Sequence, residues 1–69
     1  MTINEIDENI GKLILVRFRS GDIATLTITS RRSYKGQGTT IYGDVHHNGE
    51  LIDGAWSRLD ITLIGLASE

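Results

Sequence analysis

The dipeptide Asn48-Gly49 constrains this chain more than any other feature. A two-residue hairpin turn of type I′ needs positive φ at both central positions, and Asn followed by Gly meets that need at least cost. The turn also sets a register. His47 faces Glu50, His46 faces Leu51 and Val45 faces Ile52, which puts Val45 and Ile52 on one face. Upstream, Ala24, Leu26 and Ile28 alternate with Thr25, Thr27 and Thr29. That alternation marks a strand over Ile23–Thr29 with one buried and one wet face.

The other elements follow from these two anchors. Leu13–Arg19 reads as a strand with Ile14, Val16 and Phe18 on one side and Leu13, Leu15, Arg17 and Arg19 on the other. Leucines beside arginines indicate a half-covered second face, under the helix or a partner. Ser20-Gly21-Asp22 is a turn. Residues 30–38 read as a polar, basic loop. Thr39–His47 is a third strand, and Gly43 in its middle marks a bend. Glu50–Asp53 is a fourth strand, broken by Gly54 and resumed at Ala55-Trp56. Leu59–Ile64 is a fifth, with Leu59, Ile61 and Leu63 on one face, and Leu66–Glu69 is a tail or strand end. Ahead of them, Thr2–Ile10 reads as a helix: Thr2 and Glu5 form a T-x-x-E capping box, Ile3, Ile6 and Ile10 make an apolar stripe, and Gly11 stops it. A helix of about nine residues is not stable alone, so its stripe must pack on something.

The expected fold is therefore mainly β: one domain over residues 1–69, a short N-terminal helix followed by a five-stranded, strongly bent antiparallel sheet, in the manner of an SH3-like small barrel. With 69 residues and no cysteine, disulfides and thiolate metal sites are excluded. So small a core makes self-association through exposed edge strands the expected source of extra stability. No apolar run has the roughly 20 residues of a membrane helix. The acidic stretch Met1–Asn9 lacks the basic-then-apolar order of a secretory signal, so a soluble, cytoplasmic protein is expected.

Two stretches carry a family resemblance. Ile10-Gly11-Lys12-Leu13-Ile14-Leu15-Val16-Arg17-Phe18-Arg19-Ser20-Gly21-Asp22 resembles the opening of the Sm-like family (the Lsm and Hfq type), a Gly-Lys followed by a strand and a tight turn. Arg58-Leu59-Asp60-Ile61-Thr62-Leu63-Ile64-Gly65 resembles that family's closing motif, an Arg-Gly-Asp or Arg-Gly-Asn before an apolar strand. The resemblance implies a ring of copies joined by edge strands and binding RNA. The departures fall mostly on the nucleotide pocket. Leu26 stands where the family commonly has glycine, Arg32 and Gly36 where it has an aspartate and then a base-contacting asparagine, and Leu59 where the closing motif has glycine.

The net charge of −2 conceals a strong asymmetry. Residues 12–36 hold six basic side chains against Asp22, whereas residues 37–69 hold Arg58 against five acidic ones. The basic segment offers what nucleic acid requires, cations for phosphate and a ring for a base: Arg31, Arg32, Tyr34 and Lys35. In the Sm-like arrangement this loop meets the one before the last strand, which adds Arg58. The alternative for the whole cluster is a solvated loop. His46 and His47 point opposite ways on their strand, so they do not readily chelate one metal; the ordinary reading is two exposed hairpin histidines. Asp44 and Asp53 lie across the same hairpin. No cysteine nucleophile, glycine-rich phosphate loop or H-E-x-x-H motif points to catalysis, and no cofactor is called for. The leading expectation is a non-catalytic, oligomeric module binding RNA. Another is a small protein-interaction or regulatory module, adaptor or inhibitor, anchored by Leu13, Leu15, Arg17 and Trp56. A third is an oligomer sequestering a small anionic ligand at Arg58 and Trp56.

Overall fold

The computed structural model describes residues 1–67. In chain order it contains helix α1 (Ile3–Asn9), strands β1 (Leu13–Phe18), β2 (Ile23–Tyr34), β3 (Gly38–His47) and β4 (Glu50–Ser57), a 3₁₀ turn (Arg58–Asp60) and strand β5 (Ile61–Leu66). The strands form one antiparallel sheet in the order β4-β3-β2-β1-β5. The sheet is open, since β4 and β5 are its two edges and are not paired with each other. It is nevertheless curled. Phe18 on β1 and Trp56 on β4 have ring centroids 5.7 Å apart, although three inter-strand steps across a flat sheet span about 14 Å.

The curl encloses the core: Ile14 and Val16 of β1, Leu26 and Ile28 of β2, Ile41 of β3 and Ile61 of β5, all essentially inaccessible to solvent. Ile6 of α1 completes the cluster, so the helix packs on the concave face. The helix therefore does not cover Leu13 and Leu15, which stand on the outer face of β1 opposite Thr27 and Thr25. Only the middle of the isoleucine stripe is buried, for Ile3 and Ile10 remain about 40% exposed. The capping box forms: Glu5 N donates to Thr2 Oγ1 at 3.1 Å and Thr2 N donates to Glu5 Oε1 at 2.8 Å. Asn48 and Gly49 take φ of 51° and 80°, as a type I′ turn requires, and the register is the expected one, Val45 with Ile52, His46 with Leu51 and His47 with Glu50.

Three expectations are corrected. Residues 30–38 are mostly strand: β2 runs twelve residues to Tyr34 and β3 begins at Gly38, leaving a short turn at 35–37. The register between β2 and β3 shifts between Ile28 and Ser30, a bulge at Thr29. A bulge bends its strand and strengthens the local twist. Gly43, paired with Ile28, admits the close approach that results. A Cβ there would overlap the Thr27 carbonyl oxygen and lie 3.1 Å from Ile28 Cα.

Gly54 does not interrupt β4, which runs eight residues through it. Its missing side chain instead seats Trp56, for a Cβ at Gly54 would fall 2.6 Å from Cη2 of the indole. Finally, Leu59 lies in the 3₁₀ turn, where Ser57 Oγ accepts from Leu59 N at 3.3 Å, and it is 74% exposed. It does not share the face of Ile61 and Leu63. Leu66 closes β5, and the end of the expected tail, Ser68 and Glu69, lies outside the described residues.

Candidate nucleic-acid interface

The bulge at Thr29 decides where the basic residues point. Before it, even-numbered β2 residues face the core. After it, Arg31 pairs with core-facing Ile41, whereas Ser30, Arg32 and Tyr34 pair with Tyr42, Thr40 and Gly38 on the outer face. The Thr29 hydroxyl donates to the Tyr42 carbonyl at 3.1 Å, tying the irregular step to β3. Adjacent arginines thus leave the hairpin on opposite sides.

Arg31 is engaged. Its Nε donates to Asp7 Oδ1 at 2.6 Å and its Nη2 to Asp7 Oδ2 at 3.1 Å, a two-point grip between β2 and α1. Hydrogen bonding to the guanidinium lowers the Asp7 carboxyl below its ordinary value, and Asp7 in turn raises Arg31. A third bond, from Arg31 Nη1 to Ser33 Oγ at 3.2 Å, completes its donors' commitments on that side. Arg58 is also held: its Nη1 donates to the Met1 carbonyl at 3.3 Å, while its own carbonyl accepts from the Met1 amine at 2.7 Å.

What remains on the outer face is a tight group of Arg32, Tyr34 and Tyr42. The tyrosine hydroxyls are 3.0 Å apart. That hydrogen bond lowers the Tyr34 phenol and raises the Tyr42 phenol, and Arg32 also favours ionisation of Tyr34. A hollow of ≈ 340 Å³ lined by Ser30, Arg31, Arg32 and Tyr42 lies beside the group. Lys35 is exposed at the hairpin tip. Of the five residues expected to contact nucleic acid, the fold brings Arg32 and Tyr34 together on one face with Lys35 just beyond them. It points Arg31 to the other face and ties Arg58 to the N-terminus. Tyr42, unremarked in the sequence, joins through register alone.

Searches against family models, curated proteins and solved structures return no match for this chain.

The expected protein-contact residues also divide. Leu13, Leu15 and Arg17 stand on the outer face of β1. Trp56 stands on the core face, paired with Ile41 and against Phe18. The four cannot act as one patch. Trp56 belongs instead to a concave cleft of ≈ 460 Å³ with Phe18, Val45 and Ile52 as its apolar lining and Arg19, Ser20, Asp22 and Asp60 at its polar rim. The shared face of Val45 and Ile52 was readable from the Asn-Gly turn, but their meeting with Phe18 needs the curl. Further along the outer face, Asp44 and Asp53 are direct cross-strand partners. Hydrogen bonding to Asp53, followed by burial and mutual repulsion, raises the Asp44 carboxyl above its ordinary 3.8. His46 hydrogen-bonds Thr27 Oγ1 through Nε2 at 2.9 Å and His47 contacts Asn48 at 3.2 Å. Among the described residues, no three His, Asp or Glu side chains converge as a metal site, and no helix is long and apolar enough to cross a membrane.

Proposed function

We propose that this chain is a non-catalytic module of Sm-like type that binds single-stranded RNA on the outer face of the β2–β3 hairpin and assembles with copies of itself through its edge strands. The observation that carries the reading is the grouping of Arg32 with Tyr34 and Tyr42 on one face. Arg32 has no carboxylate partner among the described residues. Such a guanidinium can hold phosphate, and phenol rings give a base a surface to stack on. Lys35 at the tip extends the cationic track.

Assembly is supported by where the exposed apolar residues lie. Of the nine large hydrophobic side chains that face solvent among the described residues, Leu51, Ile52, Leu59, Ile64 and Leu66 sit on β4, the 3₁₀ turn and β5. Both edges also carry unpaired backbone donors and acceptors, and pairing one copy's β4 with another's β5 would cover both. The seven-residue core is small for independent stability.

The test is RNA affinity measured against salt concentration, with light scattering for mass. Affinity should fall steeply as salt rises. Arg32→Ala should weaken binding and reduce the salt slope by about one, and the protein should run as a closed ring. Salt-independent or absent binding, or an Arg32→Ala variant that binds RNA as tightly as the parent, would sink the reading.

A further inference from the structure

The cleft formed by Phe18, Val45, Ile52 and Trp56 lies at the end of β2 remote from the basic hairpin tip, and RNA binding leaves it unused. Its ≈ 460 Å³ falls within the roughly 300–1,000 Å³ of ordinary ligand sites. Two features of its lining narrow what it suits. The apolar walls contain two tilted aromatic rings, 45° apart in plane. The rim carries Asp22 and Asp60 against a single cation, Arg19. An anion would be repelled by both carboxylates. Asp22, which accepts from Ser20 Oγ at 3.1 Å, and Asp60, which faces Arg19, are held only by exposed contacts that leave them able to take an incoming cation.

We infer that this cleft receives an arginine side chain from a partner protein. Arginine has an aliphatic stem that suits Val45 and Ile52, and a planar, weakly hydrated guanidinium that stacks on aromatic rings and pairs with carboxylates. The chain's own Arg19 shows that rim chemistry. Its Nη1 lies 3.5 Å from Asp60 Oδ1, yet its side chain is 83% exposed, so it spans the mouth without filling the cleft. Arg19 is thus an internal competitor, easily displaced because an exposed pair at that distance contributes little.

The experiment follows Trp56 fluorescence, which has no other tryptophan to confuse it, while the full chain is titrated with N-acetyl-Leu-Arg-Leu-amide. The matched peptide carries citrulline, which keeps the shape and loses the charge. Saturable binding of the arginine peptide, at least about tenfold tighter than the citrulline peptide, is expected. Arg19→Ala should tighten binding by about two- to fivefold and Asp60→Asn should weaken it by a similar factor, the range an exposed ion pair supports. Both positions are on the rim, and circular dichroism confirms that each variant is folded. Equal binding of the two peptides, no saturable response, or an Arg19→Ala variant that binds no more tightly would overturn the proposal. So would peptide affinity that falls as protein concentration rises, since that places a second copy in the cleft. Arg32→Ala should leave peptide binding unchanged, so failure here and failure of the RNA reading are told apart.

Discussion

The curl of the sheet rests on a close approach that one methyl group can test. A Cβ at residue 43 would overlap the carbonyl oxygen of Thr27 and lie 3.1 Å from Ile28 Cα and 3.2 Å from Thr27 C. Even the longest of these falls short of the roughly 3.5–4.0 Å at which carbon atoms pack best. All three are backbone atoms of a central strand, so no side chain can swing aside, and β2 and β3 must separate next to the bulge. Overpacking of this kind costs about 1–3 kcal/mol, and a rigid backbone wall places Gly43→Ala at the upper end. Against this stands the loss of unfolded-state freedom, which favours alanine by about 0.4–1 kcal/mol. The φ of Gly43 is outside the left-handed region, so no backbone strain confuses the comparison. The net is a destabilisation of about 2 kcal/mol, or roughly 8–16 °C in melting temperature for a domain of this size. Thermal and urea unfolding followed by circular dichroism measure it. Gly65→Ala is the control: it is also a strand glycine with ordinary φ, but a Cβ there meets nothing within 4 Å, so the variant should be neutral or slightly more stable. If the two alanines behave alike, close strand approach is not the reason for glycine at position 43.

The atoms nearest a Cβ at residue 54 all belong to the Trp56 side chain, which can shift where backbone cannot, so Gly54→Ala should cost less stability than Gly43→Ala while shifting the Trp56 emission spectrum as the indole leaves its seat. Arg31→Ala should leave RNA affinity and its salt slope unchanged, because Arg31 is spent on Asp7, but it should speed amide exchange throughout α1. Asp44 has its folded-state value raised above 3.8 by Asp53, so the folded chain holds this proton more tightly than the unfolded one. Stability from this group is therefore full below 3.8 and is lost as pH rises through the raised value. Asp44→Asn should remove that fall, and a melting-temperature profile over the acid range in which parent and variant run parallel would count against a proton shared across the hairpin.

The parts of the fold that could be read from sequence are those where burial on one face imposes a period. β1 and the first half of β2 alternate because Ile14, Val16, Leu26 and Ile28 must meet in a core, and the Asn48-Gly49 turn sets its register through backbone conformation alone. From Ser30 to Tyr34 every residue is polar or only partly apolar, so neither face leaves a hydrophobic trace and the segment resembles a loop. Gly54 and Leu59 misled for a related reason. Strand propensity counts glycine as a break and spacing counts leucine as a member of the next apolar face, whereas what governs each is a contact two residues away: the Trp56 ring lying on Gly54, and Ser57 holding the 3₁₀ turn.

The candidate site shows the same limit more sharply. Arg31 and Arg32 are neighbours of identical chemistry, and nothing local distinguishes them. What separates them is one extra residue in β2. With unbroken alternation from Ile28, Arg32 and Tyr34 would face the core and Arg31 the solvent. The bulge at Thr29 reverses that parity, sends Arg31 to Asp7 on the helix, and leaves Arg32 with two phenols on the outside. A single insertion in strand pairing therefore decides which arginine is structural and which is available to a ligand. Deleting Thr29 would restore regular pairing without changing the partners on either side of it, Ile28 with Gly43 and Arg31 with Ile41. Arg31 should therefore stay on Asp7 and Arg32 should stay available, while the hairpin loses the bend that the extra residue supplies. A deletion variant in which Arg31→Ala, and no longer Arg32→Ala, weakens RNA binding would refute this account.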